Sequence, residues 1–198
     1  MTWIETFSGK RFDLLEPTPE QVDLKDIAHA LARINRFTGH TTVPYSVAEH
    51  AMHVEWCVRE IGNGDPLLNA LALHHDDAEA YVGDVSAPMK AALRESAYDG
   101  RTWFHSIEDG VQETILKALS LPEPTSEQEA IIKEADLWCL AAERMVLMPN
   151  TGEHEWYLKA QAPPELVQRL REPYWRHARV EEIGARFYDA AKSLLAQQ

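Results

Sequence analysis

One segment of the chain, which starts at Asp65-Pro66 and ends at Gly83, combines a helical apolar pattern with a dense polar cluster. Apolar residues recur there at steps of three and four, which predicts one continuous helix over this segment. Asp65-Pro66 is typical of a helix start, and Gly83 of a helix end. Within six consecutive residues this apolar helix carries two histidines and three acids. A helix of this kind belongs in a protein core, where such side chains need partners.

At about 100° per residue, His75, Asp76 and Glu79 project toward one side of the predicted helix. Buried imidazoles and carboxylates are stabilised together most simply by a metal ion. A single His-Asp pair also arises by chance, so the rest of the chain must supply further ligands. Such ligands are expected among the histidines and acids of the other predicted helices.

The other segments also favour helices. Asp23 is typical of a helix start, and Ser46 with Glu49, and Ser126 with Glu129, form two capping boxes. The second of these helices is expected to end at Gly62, a turn is expected at Tyr98-Asp99-Gly100, and residues 164–195 predict one or two further helices interrupted near Pro173. At the N-terminus, alternation on both sides of Gly9 predicts a short hairpin within residues 3–15. The expected fold is all-α, a single domain over residues 1–198 with a minor N-terminal β-hairpin.

Length and composition agree with one globular domain. The 198 residues are 45% hydrophobic, which is enough for a sizeable core. The sequence has no apolar run long enough for a transmembrane helix, and its first residues do not have the pattern of a secretory signal. Cys57 and Cys139 lie in apolar-periodic stretches, which favours free core thiols in a reducing compartment. We expect a cytoplasmic protein, of a bacterium or of a phage-infected host cell, with no membrane partner.

The formal net charge of −13, from 32 acidic and 19 basic residues, opposes binding to a nucleic acid polymer. A small phosphorylated molecule could still bind in a local pocket that contains a metal or a few basic side chains.

Two further residues are candidate metal ligands. His50 lies at the border of the apolar stripe of the second helix, whereas His53 is expected to face solvent. Asp136 lies in an apolar helix, where an unpaired carboxylate is costly. Its alternatives are pairing with an arginine such as Arg144, simple exposure to solvent, or metal binding.

Together His50, His75, Asp76 and Asp136 would provide two imidazoles and two carboxylates. Mixed nitrogen and oxygen donors suit Co²⁺, Mn²⁺, Zn²⁺, Ni²⁺ or Fe²⁺ better than Ca²⁺, and an additional Mg²⁺ or Mn²⁺ could accompany the substrate. Glu79, one turn beyond His75, could orient or deprotonate a water molecule.

At this point four spaced blocks of the sequence resemble the HD-domain phosphohydrolases. Within that family the chain is similar to the small group that includes bacterial 5′-deoxynucleotidases and short phage-type dATP triphosphohydrolases. The resemblance covers roughly residues 23–148 and implies an HD-type helical bundle. The blocks are Ile34-Asn35-Arg36-Phe37, Ser46-Val47-Ala48-Glu49-His50, His74-His75-Asp76 with Glu79 and Gly83-Asp84, and Ala135-Asp136.

The resemblance implies roles for these residues. Glu79 would be the catalytic carboxylate, and Asp84 would contact the sugar 3′-hydroxyl or the leaving side. Arg36 would bind phosphate, and Lys90 matches a further basic position. The position after the arginine is often Trp in the 5′-deoxynucleotidases; here Phe37 would offer an aromatic face to base or sugar. His50, His75, Asp76 and Asp136 would hold the metal.

The expected activity is metal-dependent hydrolysis of deoxynucleotides, favoured as a dNTP triphosphohydrolase that releases deoxynucleoside and triphosphate, with dATP the first candidate. The alternatives are a 5′-deoxynucleotidase acting on dNMPs and, more distantly, an HD-type di-metal oxygenase with extra ligands from His53, His74 and Asp77. A non-catalytic helical module containing buried ion pairs is a further alternative. The sequence leaves open the base, the number of phosphates, the native metal and the oligomeric state.

The remaining histidines have simpler expected roles. His74 is expected to support a ligand or pack in the core, and His29 and His40 to be structural. Asp77 is expected to be solvated or to bind an extra metal. The resemblance also implies self-association, in which Trp103, Trp156 and Trp175 could form an interface or belong to the core.

Overall fold

The chain begins with a small antiparallel hairpin and continues as helices. The computed structural model describes residues 1–61, 64–96, 103–149, 152, 156 and 160–198. Strand β1 (Trp3–Glu5) pairs with β2 (Arg11–Asp13). The turn between them contains Gly9 at a φ of 80°, a conformation that glycine adopts without steric cost. This hairpin is as predicted.

Helices make up most of the remaining structure, and short 3₁₀ turns at Pro19–Gln21 and Arg36–Gly39 connect some of them. The all-α prediction with a minor hairpin is therefore confirmed. The helices are α1 (Leu24–Leu31), α2 (Val47–Ile61), α3 (Pro66–Leu73), α4 (Glu79–Val82), α5 (Ala87–Ser96), α6 (Trp103–Ala118), α7 (Ser126–Leu147), α8 (Pro164–Arg171), α9 (Pro173–Arg176) and α10 (Val180–Leu195).

Most predicted helix starts are confirmed. Asp23 and Asp65 accept hydrogen bonds from backbone N–H groups at the starts of α1 and α3, and Ser46 and Glu49 form their capping box at α2. At α7 the capping box lies one residue earlier than predicted, because Thr125 and Gln128 form it in place of Ser126 and Glu129. The predicted helix end at Gly62 and the predicted turn at residues 98–100 lie outside the described residues.

The prediction of one continuous helix over residues 65–83 is wrong. Helix α3 ends at Leu73, and a non-helical break precedes the short α4. Local side-chain hydrogen bonds stabilise this break. His75 Nδ1 donates to the Ala72 carbonyl at 2.8 Å, and His74 Nδ1 lies 2.6 Å from Asp77 Oδ2. The bond from His75 occupies a backbone carbonyl and so competes with the regular helical pattern, whereas the His74–Asp77 bond joins two side chains within the break.

Helix α2 is central to the fold, since it packs against α3, α7 and α10. Helix α10 also packs along α1, and α8 covers the end of α7. This arrangement places one face of α2 opposite both the α3–α4 break and the middle of α7. The candidate site lies where these three elements meet.

The C-terminal helices explain two corrections to the sequence analysis. His53 is completely buried and not exposed, because Trp175 of α9 covers it with ring centroids 4.4 Å apart. Asp77 is also completely buried and not solvated, and its partner His74 packs edge-on against Phe187 of α10. Helices α9 and α10, which follow much later in the chain, therefore cover the side chains of His53 and His74.

Cys57 and Cys139 are free and buried, with their sulfur atoms 3.9 Å apart, as predicted. Of the three tryptophans considered for an interface, Trp175 belongs to the core, whereas Trp103 is 74% exposed and Trp156 40% exposed. Among the helices in the described ranges, none combines the length and apolar character needed to cross a membrane.

Candidate metal centre and active site

Three elements bring the predicted ligands together. His50 comes from α2, His75 and Asp76 from the α3–α4 break, and Asp136 from α7. Asp76 Oδ2 lies 3.1 Å from His75 Nε2 and 3.7 Å from His50 Nε2, and Asp136 Oδ1 lies 3.3 Å from His50 Nε2. Atoms that bind one metal at about 2.1 Å lie about 3 Å apart when they are adjacent. The His50–His75–Asp76 group could therefore hold a metal ion.

The hydrogen bond of His75 fixes its proton position. Its Nδ1 lies 2.8 Å from the carbonyl oxygen of Ala72, which can only accept. Nδ1 therefore carries the proton, and in the neutral ring Nε2 has a lone pair that faces Asp76.

His50 also donates through Nδ1, which leaves its Nε2 on the side of the carboxylates. Its Nδ1 donates to Glu143 Oε1 at 2.6 Å, an arrangement typical of metal-binding histidines. Burial and the charge of Arg36 act to lower the pKa of His50, but the carboxylates of Glu143 and Asp136 outweigh them and raise the pKa to about 9. Without a cation nearby, a proton would compensate these carboxylates.

A further observation indicates that these residues could bind a metal ion. His50 Nε2 and His75 Nε2 are buried and have no hydrogen-bond partner among the described residues. The Nε2 atoms of His53 and His74 are also buried and without a partner in the described part of the chain, but no carboxylate oxygen there faces them as it does in His50 and His75. Those of His50 and His75 both face carboxylate oxygens, so a cation held by His50, His75 and Asp76 would satisfy both nitrogens.

Glu143 is completely buried and connects several residues of the site, although the sequence analysis did not identify it. It accepts hydrogen bonds from His50 Nδ1, from Arg36 Nε at 3.2 Å and from the Tyr45 hydroxyl at 3.0 Å. Burial acts to raise its pKa, but Arg36 and His50 outweigh this and lower it to about 2. Its spacing in the sequence could have identified it, since Glu143 follows Asp136 by seven positions and so shares its helix face.

Arg36 is positioned by this carboxylate. Its side chain is 13% exposed, and Nη1 lies 3.8 Å from Asp76 Oδ2. Burial acts to lower the pKa of Arg36, but Glu143 and Asp76 raise it well above the usual range, so the guanidinium remains charged. The next two residues, Phe37 and Thr38, have φ values of 55° and 53°, which non-glycine residues seldom adopt. A strained turn therefore presents Arg36 beside the cluster.

Phe37 lies next to the exposed edge of the site. The Arg36 guanidinium carbon is 5.7 Å from its ring centroid, and the Trp156 ring is 6.1 Å from it. Arg144 stacks over that same Trp156 ring at 5.1 Å. Arg144 therefore does not pair with Asp136, which was one alternative for this carboxylate. Asp136 pairs instead with Lys133, whose Nζ donates to Asp136 Oδ2 at 2.6 Å.

Two acids lie on the other side of the cluster. Glu79 is 6% exposed, and its Oε2 has no hydrogen-bond partner among the described residues. Burial, together with the charges of Asp76 and Asp84, raises the pKa of Glu79 to about 9. Burial also raises the pKa of Asp84. Glu79 therefore retains a proton near neutral pH unless a cation lies nearby.

Two pockets flank the cluster, and His75, Asp76 and Gln112 line both of them. The first, of about 270 Å³, has an apolar wall and extends to Lys133 and Asp136. The second, of about 220 Å³, is polar and contains Glu79 and Lys90. Lys90 lies 2.8 Å from Glu108, so part of its charge is already compensated.

The histidines predicted to be structural lie away from the cluster or pair elsewhere. His29 stacks on Phe7 with ring centroids 3.6 Å apart, and His40 is exposed. His74 is buried and bonded to Asp77, as expected for a packed residue. His53 Nδ1 lies 3.0 Å from the Tyr45 hydroxyl.

Two relatives place the chain among known proteins, although no family model matches it. An uncharacterized protein of Rhodobacter capsulatus is 43% identical over 94 residues, which cover 46% of this chain and 48% of the relative. The uncharacterized protein YfdR of Escherichia coli is 34% identical over 152 residues, which cover 77% of this chain and 76% of YfdR. The chain belongs to the YfdR family.

The match spans about half the length of the Rhodobacter relative and about three quarters of YfdR. Because both relatives are named only as uncharacterized proteins, the functional argument for this member of the YfdR family comes from its site. That site combines two imidazole nitrogens and two carboxylates with a fixed guanidinium and a buried carboxylic acid.

Proposed function

We propose that this YfdR-family protein is an HD-type, metal-dependent phosphohydrolase of deoxynucleotides. The favoured reaction converts a dNTP and water into a deoxynucleoside and triphosphate. The observation that carries the proposal is the pair of buried Nε2 atoms of His50 and His75, which have no hydrogen-bond partner in the described part of the chain and which face Asp76 and Asp136.

These four side chains would hold a divalent transition metal. When bound, such an ion supplies a Lewis acid for a phosphoryl group and lowers the pKa of water. Glu143 and the Ala72 carbonyl fix the two imidazoles with Nε2 toward the metal position. The proton on each Nδ1 is thereby kept away from the chemistry.

Arg36 would bind the phosphate that is attacked. Glu143 holds its Nε, which leaves the terminal amino groups on the side of Asp76 free to donate to phosphoryl oxygens. A guanidinium fixed before the substrate arrives stabilises the negative charge that develops in the transition state. The strained turn at residues 36–39 supports this role, because such strain is often found at functional sites.

Glu79 would act as the general base and general acid of the reaction. A cation beside Asp76 opposes the negative charge that raises the pKa of Glu79, so the loaded site favours its carboxylate form. That carboxylate takes a proton from the attacking water and can return it to the departing 5′-oxygen. Asp84, which faces the same charges, would contact the sugar 3′-hydroxyl or the leaving side.

The triphosphate is favoured over the monophosphate because of the resemblance to the phage-type enzymes. In addition, Lys90 lies in the polar pocket with Glu79 and could bind a further phosphate. The alternative, a 5′-deoxynucleotidase, would use the same residues and release phosphate from a dNMP.

Hydrolysis is also favoured over the di-metal oxygenase alternative. His53, His74 and Asp77, the extra ligands that an oxygenase would use, do not belong to the group of described side chains whose ligand atoms lie together. In the described parts of the chain, the metal-binding geometry is limited to the His50–His75–Asp76 group.

Product analysis tests the proposal. Protein loaded with Co²⁺ or Mn²⁺ would be given dNTPs, NTPs and dNMPs in parallel, and products would be separated by chromatography. We expect intact triphosphate from a dNTP, and a loss of roughly 100-fold or more in rate for Glu79→Gln. Exposed Glu127 on α7 offers the matched control Glu127→Gln, which should keep full activity.

Release of phosphate from dNMPs alone would replace the triphosphohydrolase with the 5′-deoxynucleotidase. Absence of turnover with every metal and every nucleotide would overturn the phosphohydrolase proposal.

A further inference from the structure

One side chain of α6 forms hydrogen bonds with the backbone at both ends of the break between α3 and α4. Gln112 Nε2 donates to the His74 carbonyl at 2.6 Å, and the Ala78 backbone N–H donates to Gln112 Oε1 at 3.0 Å. His74 and Ala78 bracket the segment that carries His75 and Asp76. One amide group therefore spans the segment that provides half of the proposed metal ligands.

Glutamine is well suited to this position. The two backbone groups require one donor and one acceptor, and only one orientation of the amide provides both. A glutamate could accept from Ala78 but could not donate to His74, and it would add negative charge beside Asp76. The amide is neutral, and it satisfies two backbone groups that a regular helix would have paired internally.

Gln112 also stands at the metal cluster itself. It lines both pockets together with His75 and Asp76, so its amide forms part of the wall between them. The break places the two ligands on consecutive residues, and each must point its ligand atom toward His50. The Gln112 amide stands where a regular helix would have a bond from the Ala78 N–H to the His74 carbonyl, and within the segment the backbone bond from the Asp77 N–H to the His74 carbonyl is long, at 3.5 Å. Small rotations of this segment would therefore move both ligand atoms at once.

We propose that Gln112 is a positioning residue for the metal ligands, which fixes the His74–Ala78 segment so that His75 and Asp76 face His50. This inference rests on the metal site of the proposed function but not on the identity of the substrate. A merely structural role for Gln112 would change stability without a specific change in metal affinity.

The test compares three variants with the wild-type protein. Gln112→Met keeps the length of the side chain and removes both hydrogen bonds. Glu113→Met changes the exposed neighbour on the same helix. Ile115→Val removes one methyl group from a fully buried residue one turn away and reports the effect of a general loss of stability.

For each protein, Co²⁺ affinity would be measured by titration of the metal-free form, with the Co²⁺ absorption spectrum recorded. Hydrogen exchange of the Ala78 amide and thermal unfolding of the metal-free form would be measured in parallel. We expect Gln112→Met to weaken Co²⁺ binding about tenfold or more and to accelerate exchange at Ala78. Glu113→Met and Ile115→Val should retain wild-type affinity and the wild-type spectrum.

Three results would contradict the inference. If Gln112→Met binds Co²⁺ as the wild-type does, the positioning role is wrong while the metal site stands. If Ile115→Val loses as much affinity for an equal loss of thermal stability, the effect of Gln112 is merely structural. If the wild-type protein itself does not bind Co²⁺, the metal site and the proposed function fail together with this role.

Discussion

At the scale of single residues, the buried carboxylate of Glu143 connects the two functions of the proposed site. Through Oε1 it orients His50, a proposed metal ligand, and through Oε2 it holds Arg36, the proposed phosphate-binding residue. Tyr45 donates the third hydrogen bond. A buried charge is tolerated when it is paired and hydrogen-bonded to this degree.

Glu143→Gln should weaken both stability and metal binding. The amide keeps the shape of the side chain but leaves the buried Arg36 charge without its carboxylate, which we expect to cost about 3–5 kcal/mol of unfolding free energy. His50 would also lose a charged acceptor at Nδ1, so metal affinity should fall about tenfold or more. Denaturant unfolding and Co²⁺ titration measure the two effects.

Glu134→Gln is the matched control, because Glu134 is exposed on the same helix. It should stay within about 0.5 kcal/mol of the wild-type protein. Equal behaviour of the two variants would show that the Glu143 carboxylate has no special role.

The sequence was sufficient to select His50, His75, Asp76 and Asp136, because imidazoles and acids in apolar helices are conspicuous. It was not sufficient to select Glu143. A glutamate next to Arg144 in a helix normally faces solvent, and the burial of this one depends on Arg36, which lies 107 positions earlier. Pairings over such distances follow from tertiary packing and leave no local pattern.

At the scale of secondary-structure elements, the helices were predictable from apolar periodicity and capping residues, whereas the α3–α4 break was not. The apolar pattern continues through residues 74–78, so periodicity alone favours a helix. The break depends on side-chain hydrogen bonds of His74 and His75 and on Gln112 of α6. The His75 bond competes locally with the helix for a backbone carbonyl, the His74 bond joins two side chains, and the Gln112 bond comes from a distant element.

The packing of α10 against α1 gives a prediction about stability. At Gly184 of α10, a Cβ atom would lie 3.2 Å from the Ala28 carbonyl oxygen and 3.5 Å from Ala32 Cβ. A leucine cannot fit in this space, so Gly184→Leu should lower the free energy of unfolding by roughly 1–3 kcal/mol or more.

Gly110 of α6 provides the comparison. A Cβ atom there would have no neighbour within 4 Å. Gly110→Ala should therefore raise the free energy of unfolding by about 0.5–1 kcal/mol through its higher helix propensity. Urea unfolding of both variants checks the opposite signs. Stabilisation by Gly184→Leu would contradict the close contact between α1 and α10.

At the scale of the whole molecule, the tail that follows α7 covers polar groups that the sequence analysis placed in solvent. His53 is enclosed by Trp175, and burial lowers its pKa to about 3. The folded protein therefore keeps this imidazole neutral in a range of pH where the unfolded chain protonates it. Stability due to this difference is complete above a pH of about 6.5 and is lost as the pH falls toward 3.

The expected loss is about 1.4 kcal/mol for each pH unit below about 6.5. Between about pH 7 and pH 5, the wild-type protein should lose about 2 kcal/mol more unfolding free energy than His53→Gln, which cannot titrate. Urea unfolding at the two pH values measures both losses. Equal losses of unfolding free energy in the two proteins would show that the pKa of His53 is not lowered by folding.

Anomalous diffraction from Co²⁺-loaded crystals would show whether His50, His75, Asp76 and Asp136 hold one metal ion, as we propose. We expect a single strong peak about 2.0–2.2 Å from both Nε2 atoms and in contact with both carboxylates. The same peak should be absent from Asp76→Asn and present in Asp189→Asn, which changes an exposed aspartate. A Co²⁺ ion bound elsewhere, with the two Nε2 atoms bonded to other groups, would overturn the proposed metal site.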